Sequence, residues 1–239
     1  MLRKLLGCHS SVRCAHEPFN SDTPLGKKYA PTTRDQKSLD FALHRVWKVY
    51  NGIKHVWDYC LGWPFAGLCP NQPLNQHLLI ASRAKVILLA RRNVLRRLVS
   101  NEVSLQTKRW DPDDVRRRVI RRKLKPLDIE WVKWQLERER AAIYEHRKRL
   151  IDARRPFLDV WYEDLFAEDL TPQESLLQLK EIISFIELPQ LGRTASWSAL
   201  TLLDQRTQPI TSRQIYSRIP NVNQIERRLG SDYTGWLFK

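Results

Sequence analysis

The chain has 239 residues, 42% of them hydrophobic, which is enough to bury one sizeable core, so a single domain spanning 1–239 is expected. A formal charge of +15 points to anionic partners without choosing among a phosphorylated nucleotide, a glycan, nucleic acid or an acidic membrane surface. No apolar run approaches the roughly 20 residues that a membrane helix needs, so a soluble, cytoplasmic protein is expected.

The first residues read as the interior of a helix with no cap, strand or turn before Leu2, and Arg3, Lys4, His9 and Arg13 interrupt it too often for a secretory leader. Val12 to Ala15 reads as a short strand that ends in the turn His16-Glu17-Pro18-Phe19-Asn20. Ser21 to Thr33 reads as a surface loop. Gln36 to Tyr50 has the spacing of an amphipathic helix, with Leu39, Leu43, Val46 and Tyr50 on its apolar stripe. A second short strand, GIKHVW, covers Gly52 to Trp57 and carries Lys54. Leu61 to Pro73, with Trp63 and Phe65, reads as a partly buried loop able to shape a pocket. Cys8, Cys14, Cys60 and Cys69 lack the spacing of paired metal ligands, so reduced thiols and no metal are expected.

At Lys85 to Ser100 the pattern changes abruptly. Val86 to Ala90 is an unbroken apolar run, as in a strand covered on both faces of a parallel sheet. Asn93 then offers a cap, and Val94, Leu95, Leu98, Val99 and Val103 recur at helical spacing. Ligands of open parallel sheets bind beyond the carboxyl ends of the strands, where Arg91 and Arg92 stand. Ser100 follows Arg92 by eight residues, on the polar side of the helix. An arginine fork with a hydroxyl is a good receptor for one phosphate group.

Farther along, Trp110-Asp111-Pro112-Asp113 reads as the start of a second helix. Pro126-Leu127-Asp128 caps a long third one, whose apolar stripe is Ile129, Val132, Leu136, Ile143 and Leu150. Its other face alternates Arg, Lys and Glu, the pattern of a solvated helix, so dedicated nucleic-acid binding is not expected. Phe157 to Tyr162 reads as a strand, followed by Glu163-Asp164 at a helix start. Pro172 to Ile186 reads as an amphipathic helix. A polar stretch from Thr207 leads to a short last helix from Gln224 to Leu229. Alternating strands and helices imply an α/β fold with helices on both sides of a parallel sheet.

An apolar strand ending in Arg, with Ser eight residues on, resembles the 3′-phosphate motif of sulfotransferases that use 3′-phosphoadenosine 5′-phosphosulfate. Leu2 to Asn20 (LRKLLGCHSSVRCAHEPFN), Tyr162 to Leu165 (YEDL), and the pair QRTQPITSRQI and ERRLGSDYTGWL resemble, in the same order, segments of the bacterial carbohydrate subgroup of nodulation and lipopolysaccharide type. The resemblance implies a P-loop-NTPase-like three-layer sandwich and transfer of a sulfuryl group to a hydroxyl of a carbohydrate or glycolipid. It implies that Arg92 and Ser100 hold the donor's 3′-phosphate, with Arg91 adding positive potential. It also places Glu17 on the acceptor side as candidate base. His16, where the subgroup has Gly, is a second candidate base, and Lys54 faces either the crevice or the acceptor. Read from the residues alone, Glu17 serves equally as a cap of the following turn or as a partner for a nearby arginine.

In that family the chain opens with a strand and a Gly/Ser/Thr-rich loop that cradles the 5′-phosphosulfate, and this sequence starts after both. Either an upstream start or a partial, inactive copy is then expected, since losing even one preorganised donor typically costs about 100- to 1,000-fold in rate. The competing reading is a non-catalytic basic protein that binds anionic polymer or nucleic acid through the arginine-rich segment Arg116 to Lys125.

Overall fold

A computed structural model describes residues 2–20, 23–29, 35–55, 77–108, 123–167, 170–204 and 212–238. The expectations for the 61–73 loop, the helix starting at 110–113 and most of the 116–125 segment lie outside these residues, as does the start of the polar stretch from Thr207, whose described part from 212 on contains a short helix where none is expected. The chain is mixed α/β and mostly helical. The described strands form two separate two-stranded parallel sheets and close no barrel. They are β1 (Cys14–His16), β2 (Gly52–Lys54), β3 (Val86–Ala90) and β4 (Phe157–Trp161). In the first sheet Cys14 pairs with Gly52, Ala15 with Ile53 and His16 with Lys54.

The chain divides into two compact units, one formed by Met1–Leu88, His146–Val160 and Asp164–Asp204, the other by Leu89–Glu145, Trp161–Glu163 and Gln205–Lys239. In the first, helix α1 (Leu2–Leu6) precedes β1, and α2 (Pro24–Tyr29) follows it. The α2 helix falls where a loop is expected. Pro at the first helical position is favourable, and Thr23 Oγ1 accepts the Gly26 N–H as an N-cap does. Helix α3 (Gln36–Val49) matches its predicted span. It starts in a reciprocal cap in which Asp35 Oδ1 accepts the Ser38 N–H and Ser38 Oγ accepts the Asp35 N–H. Leu39, Ala42, Leu43 and Val46 of α3 close with Ala15, Phe19 and Tyr29 into one apolar core.

A single π-helical turn (His77–Ala81) leads toward β3. Beside it Leu79, Val86 and Leu150 are buried together, and the Arg155 guanidinium donates to the carbonyls of Leu79 and Ala84. β3 is not covered along its length, for Leu89 is 44% exposed. An apolar run is therefore not proof of burial on both faces when the sheet has only two strands. Between β3 and β4 the chain forms α4 (Val94–Thr107) and α5 (Ile129–Asp152), and α6 (Tyr162–Phe166) follows β4. Then come α7 (Pro172–Phe185), capped at Thr171 and Glu174, and α8 (Arg193–Leu203), to which the sequence reading assigns no element. Helix α1 packs on α7 and α8, where Leu5, Leu179, Ile183 and Ala199 are fully buried.

The second unit has its own core. Val94, Leu95, Leu98, Val99 and Val103 of α4 meet Val132 and Leu136 of α5, with Tyr216, Ile219, Val222, Ile225 and Leu237. Tyr216 ends α9 (Ser212–Tyr216), and Val222 and Ile225 lie on α10 (Val222–Leu229). Each fully buried Leu or Ile contributes about 1.5–3 kcal/mol, an upper estimate since unfolded chains already bury some surface.

Two tests follow from this packing. A Cβ on Gly26 would fall 1.5 Å from the Asn20 carbonyl oxygen, so Gly26→Ala should unfold the Asn20 turn or lower the melting temperature by several degrees; an unchanged melt would contradict this approach of the two backbones. His146 is buried, and burial, with Arg149's charge adding to it, pushes its imidazole down to about 3. The unfolded chain binds a proton there below the ordinary value of 6.5, the folded chain only near 3. Stability should therefore fall as pH drops from 6.5 toward 3, and His146→Gln should remove about one proton from the pH slope of unfolding between pH 6.5 and 5.

Candidate functional site

At the end of β1 the backbone turns sharply. Glu17 adopts φ +46°, a left-handed conformation that a non-glycine residue holds only when neighbours fix it. Here they do. The Glu17 N–H extends the ladder by donating to the Lys54 carbonyl (2.9 Å), and its own carbonyl accepts the Asn20 N–H and the Thr23 hydroxyl. The side chain is therefore aimed by backbone bonds on both flanks.

The Glu17 carboxylate is buried and both its oxygens are occupied. Lys54 Nζ donates to Oε1, and Asn20 Nδ2 donates to Oε2 at 2.7 Å. Burial alone would push this carboxyl up. The hydrogen bond and charge of Lys54, then the Asn20 bond, outweigh it and hold the group below the usual carboxylate range. His16, paired in register with Lys54, has its Nδ1 buried 3.9 Å from Glu17 Oε1 and without a hydrogen bond. Its imidazole is pushed down by burial, against the pull of Glu17 and reinforced by Lys54 and Arg3, so it is neutral at pH 7. The sequence-predicted Glu17, His16 and Lys54 thus form one cluster: a carboxylate that accepts from Lys54 Nζ, beside a neutral imidazole. Cys14, one pleat back, is a thiol raised by burial despite Arg3 and Lys54. Cys8 and Cys14 are free.

The second group of predicted residues lies in the other unit, at the β3–α4 turn. Asn93 caps α4 as expected, its Oδ1 accepting the Arg96 N–H at 2.8 Å. Two partners were not foreseen. The Glu163 carboxylate spans the turn, Oε2 accepting the Arg92 N–H (3.0 Å) and Oε1 the Asn93 N–H (3.1 Å). The tail after α10 closes over the same helix end: Asn93 Nδ2 and Arg96 Nε both donate to the Trp236 carbonyl, and the Leu95 N–H donates to the Thr234 carbonyl. Gly235 runs at φ +89°, where a Cβ would stand 2.3 Å from Asn93 Oδ1, so only glycine fits.

Both arginines lean on aromatic rings. The Arg91 guanidinium carbon lies 3.7 Å from the Tyr162 ring centre, and that of Arg92 lies 5.1 Å from Trp161. Stacking of this kind contributes about 0.5–2 kcal/mol and leaves the edge of the guanidinium able to donate. Ser100 Oγ lies 2.6 Å from the Tyr216 hydroxyl, which also reaches the Arg96 carbonyl at 3.3 Å. If Tyr216 donates to Ser100, the Ser100 proton is left to an incoming acceptor; if it donates to Arg96, Ser100 gives its proton to Tyr216.

Glu163 escaped the sequence reading because an acidic residue at a helix start is ordinarily read as answering its own helix's dipole. The order Trp161-Tyr162-Glu163 was nonetheless visible. Among the described residues no group of His, Cys, Asp and Glu is arranged to hold a metal ion, and no helix is long and apolar enough to cross a membrane. Comparison with family models, with curated proteins and with solved structures yields no match.

Replacing Lys54 isolates what holds Glu17 ionised. In Lys54→Met the remaining burial should carry the carboxyl from below its ordinary value of 4.5 to above it, as read by carbon-13 titration. The native pair contributes stability above the unfolded value, lost as pH falls through the lowered folded one, so the variant should lose about 1 kcal/mol at neutral pH and little in acid. A Glu17 titration indifferent to Lys54 would overturn the assignment.

Proposed function

We propose that the chain is a sulfotransferase-type protein of three-layer α/β architecture that takes 3′-phosphoadenosine 5′-phosphosulfate as donor and a carbohydrate or glycolipid hydroxyl as acceptor. The observation that carries the reading is the β3–α4 turn. An apolar strand passes through Arg91 and Arg92 into a helix capped by Asn93, both guanidinium groups are braced on rings, and Ser100 follows on α4. A phosphate group asks for such donors, and they come at the spacing the resemblance describes.

In this reading Arg92 and Ser100 hold the 3′-phosphate and Arg91 contributes charge. The acceptor oxygen attacks sulfur, the bond from sulfur to the bridging phosphate oxygen breaks, and the hydroxyl proton goes to a base. The products are a sulfate ester and 3′-phosphoadenosine 5′-phosphate. As in phosphoryl transfer, positioning and charge stabilisation supply most of the acceleration. Glu17 is ionised and so able to take the proton, although Lys54 weakens it as a base. His16 is the second candidate, supported by its neutral imidazole and by the occupation of both Glu17 oxygens.

A ligand titration tests the reading without depending on turnover. 3′-Phosphoadenosine 5′-phosphate should bind saturably, and Arg92→Ala or Ser100→Ala should weaken it about tenfold or more, the scale of losing a hydrogen bond to a charged group. Tight, salt-sensitive DNA binding together with indifference to both changes would favour a non-catalytic polyanion-binding protein instead.

A further inference from the structure

Trp161, Tyr162 and Glu163, three consecutive residues from the end of β4 into α6, engage three consecutive residues after β3. Tyr162 takes the Arg91 guanidinium, Trp161 that of Arg92, and Glu163 the backbone N–H groups of Arg92 and Asn93. Both Glu163 oxygens are used at once, one on each amide. A carboxylate spread over two adjacent amides fixes their relative orientation, and with it the Arg92 backbone from which the side chain leaves. It also occupies both amides, so a phosphate bound at this turn must be held by side chains.

We propose that Glu163 is the positioning residue for Arg92, splinting the turn so that the guanidinium meets the 3′-phosphate of the nucleotide already ordered; this rests on the reading of Arg92 as a phosphate ligand. An arginine side chain loses much rotamer freedom when it is ordered. Holding its backbone and stacking its plane on Trp161 removes part of that loss before the ligand arrives. The Glu163 carboxylate itself touches no ligand and repels a phosphate at long range, so its benefit is conveyed through Arg92 alone. A glutamine in its place can accept from one amide only, and turns an NH₂ group toward the other.

That asymmetry defines the experiment: calorimetric titration of the full chain with 3′-phosphoadenosine 5′-phosphate and, separately, with adenosine 5′-phosphate, which lacks the 3′-phosphate. Glu163→Gln should weaken the bisphosphate about tenfold and the monophosphate less than about twofold, and should add nothing further in an Arg92→Ala background, the signature of two residues acting as one. A purely structural role would loosen both nucleotides alike, or would persist undiminished without Arg92, and either result overturns the proposal. So does wild-type affinity in Glu163→Gln when Arg92→Ala is weak. If wild type does not prefer the bisphosphate, the phosphate-site reading itself fails and takes this proposal with it. Should Glu163→Gln not fold, Glu163→Asp, a methylene shorter, must show the same selectivity loss in smaller measure.

Discussion

Asn93 is engaged at all four of its polar groups. Its side-chain oxygen caps α4, its amide NH₂ reaches Trp236, its backbone N–H meets Glu163, and its carbonyl begins the helical ladder at Arg97. A helix end leaves orphan amides that must be satisfied: the Asn93 side chain takes that of Arg96, the Arg92 carbonyl that of Val94, and the Thr234 carbonyl that of Leu95. The directions of Arg91 and Arg92 follow from it, because the turn that carries them has no slack. The apolar side of the same helix then supplies much of the second unit's core, so local cap and distant packing specify the same conformation.

The cluster at the end of β1 is organised by a different constraint. A carboxylate taken out of water must find cations or donors, and Glu17 finds Lys54 and Asn20. The left-handed backbone at Glu17 is tolerated because the ladder bond to Lys54 and the Thr23 hydroxyl hold it there. The same interactions set the charge states, with an ionised carboxylate beside a neutral imidazole. Burial lowers the imidazole, whereas pairing with Lys54 and Asn20 overcomes burial and lowers the carboxyl, so both groups lie below their ordinary values.

Much of this was legible in the residues. The β3 run, the Asn93 cap, the spacing of α3 and α7 and the start of α5 at Asp128 follow from period and capping rules, and the described structure agrees with them. Glu17, His16 and Lys54 were each singled out, but their gathering was not read from the residues; parallel pairing of β1 with β2 brings it about in register. What could not be read depends on contacts between segments far apart in sequence. Glu163 acts across 70 residues and the tail across more than twice that, and no local pattern encodes either. Helix α2 was misjudged for the opposite reason: Thr23-Pro24 is a good helix start as well as a good turn, and the core position of Tyr29 decides between them. Helix α8 is Ser- and Thr-rich, with Trp197 73% exposed, and shows too weak an apolar stripe to announce itself.

The bond from Asn93 to Trp236 spans 143 residues, the longest of those that finish the α4 turn. Joining ends so far apart is slow, since the chain must surrender loop entropy before any contact rewards it. On a ribosome that adds about 5–20 residues each second, α4 emerges several seconds before its closing partner exists. During that interval the helix start has its own asparagine to rely on but not Trp236. The wedge that admits only glycine at 235 is thus a latch that shuts last, and Arg91 and Arg92 acquire their final aim only when it does.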